Sequence, residues 1–183
     1  MHKSEDNMIL QDEKIRLRPI EEKDTDNIIK WRNKDSVRLN FIYQKLFTVE
    51  SHTNWLKTMV WTGKVKQFII HDERVNMDVG SVFLRDIDYE NQKAEYGIFI
   101  GEDSARGRGI GTMAAKMMVN YAFEELRLNK VFLRVFAENK GAVKSYEKAG
   151  FEREAYLREE IFLNGRFRDI ILMSVLNQGG KKV

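Results

Sequence analysis

Two stretches concentrate residues able to do chemistry. The first, SARGRGIGTMAAKMM at residues 104–118, carries Gly107, Gly109 and Gly111 with Arg106 and Arg108 interleaved, and no acidic side chain. Glycines let backbone N–H groups converge on one oxygen cluster, and the start of a following helix adds positive potential. Such a loop either cradles a phosphate or is a flexible turn with solvated arginines. It is no Walker loop, because no Gly-Lys-Ser/Thr follows. Nor is it a dinucleotide fingerprint: its glycines alternate, and three strand candidates precede it where that motif needs a βαβ unit.

The second stretch, ENKGAVKSYEKAGF at residues 138–151, follows the next strand candidate. Asn139 falls at a strand-to-helix junction, where it either caps the helix or meets an amide-rich ligand. Lys140, Lys144 and Lys148 recur every four residues and form one basic stripe. Tyr146 lies on another face, where half-buried packing is the plain reading. Elsewhere, Glu95 sits in a strand between Ala94 and Tyr96, a setting that favours burial and a raised carboxyl pKa. A structural ion pair or a substrate anchor is open to it. Trp31 reads as core and His71 as structural, while His2 reads as tail.

The totals narrow the classes. The 183 residues suit one domain, and 43% hydrophobic with 32% charged residues is ordinary for a globular chain. With no cysteine, disulfides, thiolate metal sites and a cysteine nucleophile are excluded together. A net charge of +3 gives no electrostatic case for nucleic acid, and Arg106 and Arg108 lack interleaved aromatic residues. No apolar run suggests a leader peptide or a membrane span, so a cytoplasmic protein is expected, with no membrane partner.

These residues must be held by a scaffold. Residues 14–20 alternate as a half-buried strand closed by Pro19. Helical spacing follows at Ile28, Trp31 and Val37, and Thr48 is an N-cap candidate for a helix bearing His52, Trp55, Leu56 and Met59. Strands are predicted around residues 65–72, 78–88 and 93–101, then a helix over 109–126. A strand over 130–136, a helix over 141–149 stopped by Gly150, and a hairpin around Asn164-Gly165 complete the chain. The order is βαα-βββ-α-β-α-ββ, with polar tails at 1–13 and 177–183.

Together the two stretches resemble the GCN5-related N-acetyltransferases, the GNAT superfamily. Arg106, Gly109 and Gly111 fill its Gln/Arg-x-x-Gly-x-Gly/Ala loop. Asn139, Ala142, Tyr146, Glu147, Lys148, Gly150 and Phe151 fill its later run. The resemblance covers residues 14–176 and implies an α/β (α+β) GNAT fold. That fold is a single mixed, mostly antiparallel twisted sheet of about seven strands flanked by about four helices. AEYGIFI and the Asn164-Gly165…Asp169 hairpin are similar to the ribosomal-protein-alanine acetyltransferase branch. KWRNKDSVR followed by FTVESHTNWL resembles amino-sugar-nucleotide acetyltransferases of the pseudaminic-acid pathway.

The resemblance implies acetyl-CoA as cosubstrate and no metal. It places the pyrophosphate on Arg106, Gly107, Arg108, Gly109, Ile110, Gly111 and Thr112. It also places Ile98, Phe99, Asn139 and Lys148 along the cofactor, with Lys144 an alternative to Lys148 at the adenosine phosphates. Tyr146 becomes the acid for the departing thiolate, since a phenol of pKa about 10 is protonated at neutral pH. Glu95 becomes a base acting through water. In the sugar-acetyltransferase likeness, Arg32, Asn33 and His52 border the acceptor. The acceptor is a small-molecule amine, leaning to an amino-sugar nucleotide, ahead of a protein N-terminus or a polyamine. A CoA-binding sensor without catalysis is the rival of another class. The terminal hairpin is able to join a homodimer interface.

Overall fold

The computed structural model describes residues 9–179; His2, the rest of the expected tail at 1–8, and residues 180–183 lie outside that range. Eight strands form one sheet: β1 (Leu10–Gln11), β2 (Ile15–Pro19), β3 (Lys66–Asp72), β4 (Met77–Asp88), β5 (Lys93–Ile100), β6 (Lys130–Phe136), β7 (Glu152–Leu163) and β8 (Arg166–Leu176). Five α-helices accompany them: α1 (Thr25–Asn33), α2 (Asp35–Arg38), α3 (Val49–Trp55), α4 (Ile110–Glu124) and α5 (Lys140–Lys148). The strand beyond the expected seven is β1, where Leu10 and Gln11 of the expected polar tail pair with Leu17 and Arg16.

Spatial order runs β1-β2-β3-β4-β5-β6-β8-β7. Every neighbouring pair is antiparallel except β5 with β6, which α4 connects in parallel. That pairing holds only for Lys93 with Lys130, Ala94 with Val131 and Glu95 with Phe132. Beyond Glu95 the two strands part, and the site lies in the opening.

The sheet is covered on both faces. Along β3, Phe68 and Ile70 join one buried cluster with Ala114 and Met118 of α4 and Val143 of α5. Ile69, pointing the other way, joins Ile28 and Trp31 of α1 and Leu56 after α3. Double coverage explains why β3 reads as a continuous apolar run. Thr48 caps α3 as expected, accepting from Ser51 N at 3.1 Å. The hairpin turn has positive φ at both Asn164 and Gly165, 52° and 77°, the conformation an Asn-Gly pair adopts between twisted strands.

Candidate active site

The glycine loop follows the end of β5 and runs directly into α4. Gly109, with φ of 80°, is the residue before the first turn of α4, and its carbonyl accepts from Met113 N at 3.1 Å. A Cβ on Gly109 would meet nothing within 4 Å, so backbone conformation, not space, demands glycine there. Gly111 has no such demand; a Cβ would make ordinary contact with Ser145 Oγ. Thr112 Oγ1 lies 3.0 Å from Ser145 Oγ and ties α4 to α5.

The two loop arginines go separate ways. Arg106 folds back on its own loop, donating to Ile100 O at 3.1 Å and to Ser36 Oγ at 3.3 Å, and pairs with Asp103 at 3.1 Å. Arg108 turns to the buried Asp72 at the end of β3, 3.4 Å away, and is absent from the cleft lining. Arg74 already holds that carboxylate at 2.8 Å, and with the Arg108 guanidinium turned away from the cleft, any phosphate contact expected of Arg108 falls to its backbone.

Tyr146 is held by the end of α5. Gly150, with φ of 99°, lets its own N–H reach Glu147 O and lets Phe151 N–H reach Tyr146 O, each at 3.0 Å. This closes the helix with a Schellman motif and folds Phe151 against Tyr146, ring centroids 6.0 Å apart. Tyr96 meets Tyr146 nearly perpendicular at 6.1 Å. Burial pushes the Tyr146 phenol up to about 12, so it is protonated at neutral pH. Asn139 caps α5, accepting from Ala142 N at 3.2 Å, and donates across to Asn40 Oδ1 at 3.1 Å.

Glu95 is buried, as its neighbours suggested, but its expected raised pKa is overturned. Arg134 Nε lies 2.9 Å from Oε1, and Arg85 Nη2 lies 2.9 Å from Oε2. Burial alone would raise the carboxyl, yet the hydrogen bond from Arg134 and the charge of Arg85 outweigh it. Glu95 is therefore held below the usual carboxylate range. Arg85 is its direct cross-strand partner on β4, a signal present in the strand pattern once the register is known.

A cleft of about 1180 Å³ brings most of these residues together. It is lined by Ile98 and Phe99 of β5, by Arg106, Gly107, Gly109, Ile110, Gly111 and Thr112, and by Asn139, Lys144, Tyr146 and Lys148. Glu95, Arg32 and His52 line it as well. Asn33 does not: its amide accepts from Phe47 N at 2.7 Å and donates to Phe47 O at 2.9 Å, pinning the loop before α3. The expected acceptor contact from Asn33 is thus replaced by a loop anchor. His52 is 1% exposed, with Nδ1 3.1 Å from Thr25 Oγ1 and Nε2 unpartnered. His71 bonds Asp78 and Asn76 on the neighbouring turn, in keeping with a structural role. Among the described residues, no group of three His, Asp or Glu is arranged to hold a metal. None of their helices is long and apolar enough to cross a membrane.

A glycine loop opening onto a helix N-terminus, at the mouth of a split between parallel strands, fits the phosphates and thioester arm of CoA. Residues 14–152 match the acetyltransferase (GNAT) domain family, and the chain belongs to it. It is 36% identical to a spermidine N(1)-acetyltransferase from Vibrio cholerae over 61% of this chain and 63% of that protein. To the Escherichia coli spermidine N(1)-acetyltransferase it is 29% identical over 88% of this chain and 85% of that protein. The pseudaminic-acid likeness is also met: Campylobacter jejuni acetyltransferase PseH is 27% identical over 68% of this chain and 74% of that protein. The solved V. cholerae spermidine N-acetyltransferase in complex with CoA and spermine superposes with a TM-score of 0.83 at 27% identity. That superposition covers 90% of this chain and 96% of the other.

Proposed function

We propose that the protein acetylates a primary amine of a small molecule by direct attack within a ternary complex. The observation that carries this reading is Tyr146, held against the split between β5 and β6 in the cleft that the glycine loop closes. Acetyl-CoA supplies an activated acetyl thioester. The backbone of Gly107 to Gly111 and the first turn of α4 seat the pyrophosphate, with Lys144 or Lys148 at the adenosine phosphates. Backbone N–H groups of β5 beyond Glu95, released from β6, stabilise the developing oxyanion. Tyr146 delivers a proton to the departing thiolate. Glu95 is assigned to holding Arg85 and Arg134, and the acceptor ammonium loses its proton to solvent.

For the acceptor, the relatives named spermidine N(1)-acetyltransferase give polyamines more support than the amino-sugar nucleotides expected from the sequence. A V. cholerae relative described as dodecameric supports a homo-oligomer over the smaller homodimer. The experiment is acetyl-CoA-dependent CoA release over spermidine, an amino-sugar nucleotide and an N-terminal peptide, with thermal melting beside it. Ligand at 100 times its Kd stabilises by about 2.7 kcal/mol, raising Tm by roughly 5–10 °C. Neither a melting shift nor CoA release would remove the reading. A shift without turnover on any amine would return the CoA-binding sensor.

A further inference from the structure

Buried polar side chains nearly always find partners within the protein. Among the described residues, six leave a buried atom unpartnered, and three of those six line the cleft: Arg32 through Nη1, His52 through Nε2 and Tyr96 through its hydroxyl. Arg32 is the costliest of these, because it is a cation. It is 5% exposed and forms no ion pair among the described residues. Its guanidinium lies 3.8 Å from the Phe41 ring centroid, 4.7 Å from that of Phe47 and 5.8 Å from that of Phe99. Its hydrogen bond runs from Nη2 to Tyr43 O at 3.3 Å. Burial draws its pKa down to about 10, the mark of a charge short of a counter-ion. The aromatic faces recover part of that cost and fix the plane of the fork.

The groups assigned to the CoA phosphates lie on other elements than this cation: the glycine loop leads into α4, and Lys144 and Lys148 are on α5. Arg32 stands on α1, beside the cluster formed with Phe99 and Leu56. The cleft does not balance it from within. Glu95 is the one carboxylate among the lining residues, and Arg85 and Arg134 already occupy it. A guanidinium has donors only. A protonated polyamine also has donors only and cannot complete it. An anionic oxygen pair can, with two parallel N–H···O bonds.

We infer that Arg32 seats an anionic group, a carboxylate or a phosphate, carried by the amine that the enzyme acetylates. The inference rests on the acetyltransferase reading and sets its acceptor apart from the polyamines that the relatives' names favour, at primary amines with a negatively charged end.

The test measures CoA release by the wild type with spermidine and with matched amines. Putrescine is set against 4-aminobutyrate for the carboxylate arm. Glucosamine is set against glucosamine 6-phosphate and a UDP-linked amino sugar for the phosphate arm. The expected result is kcat/KM at least tenfold higher for an anionic member than for its neutral counterpart and for spermidine. Arg32→Gln should erase that preference through KM, and Arg32→Lys should restore part of it. The acetyl-CoA melting shift in both variants reports an intact fold; if Arg32→Gln does not fold, Arg32→Lys and the wild-type preference still decide. Spermidine turned over faster than every anionic amine overturns the inference and leaves the acetyltransferase reading standing. So does an anionic preference that survives Arg32→Gln. No CoA release with any amine overturns the acetyltransferase reading, and the inference falls with it.

Discussion

Glu95 and Arg134 form an ion pair, Oε1 to Nε at 2.9 Å, at the point where β5 and β6 part. Arg85 closes on the same carboxylate from β4, so three strands are tied together at the floor of the cleft. Glu95→Gln leaves two guanidinium groups without their counter-ion. Both arginines are more than a third exposed, which places the expected loss at about 1–3 kcal/mol, below that of a fully buried pair. The pH dependence follows from the lowered carboxyl. Its contribution is present above the ordinary value of 4.5 and is lost as pH falls below it. Melting curves between pH 3 and 7 should therefore be flatter for the variant at the acid end. An identical acid profile in the two proteins would contradict the pairing.

Tyr146→Phe keeps the ring that packs on Tyr96 and Phe151 and removes the proton. Turnover should fall by about 100-fold or more, while the melting shift caused by acetyl-CoA stays as in the wild type. With the phenol pushed up to about 12, the wild-type rate should show no loss from Tyr146 ionisation below about pH 10. Unchanged kcat in the variant would remove the acid role.

Gly109→Ala and Arg108→Ala separate the loop backbone from its charge. Alanine at φ of 80° costs about 1–2 kcal/mol and displaces the N–H groups at the start of α4. Arg108 is engaged by Asp72 outside the cleft. Titration with acetyl-CoA should show a larger rise in Kd for Gly109→Ala than for Arg108→Ala. The opposite ranking would mean that the side chain, not the backbone, holds the pyrophosphate.

His52 is buried and its pKa is lowered below 6.5, with burial the largest cause. The unfolded chain then binds the proton first. Stability is full above about pH 6.5 and declines as pH falls through the folded-state value. His52→Gln should flatten this segment of the stability curve, read by urea unfolding between pH 5 and 8. An unaltered slope would show that the imidazole charges as easily in the folded protein as outside it.

Local features were legible in the sequence. Thr48 as a cap, Asn164-Gly165 as a turn and Gly150 as a helix stop each depend on backbone conformation within a few residues. The same holds for Gly109, whose positive φ is a property of one position. The alternation in β2 and the spacing in α4 likewise encode which faces are buried. Pairing across the chain was not legible. Arg134 is 39 residues from Glu95, and only the strand register brings it there in place of solvent. Arg108 meets Asp72 because β3 ends beside the loop, and Asn33 meets Phe47 because α1 packs on the segment leading to α3. The sequence by itself determined most of the elements, the glycine loop and the tyrosine on α5, since backbone geometry and hydrophobic period are local. Tertiary structure alone decided which charges are neutralised. It spent Glu95 on two arginines and left Arg32 buried without a counter-ion, because electrostatic partners are set by distance in space and not along the chain.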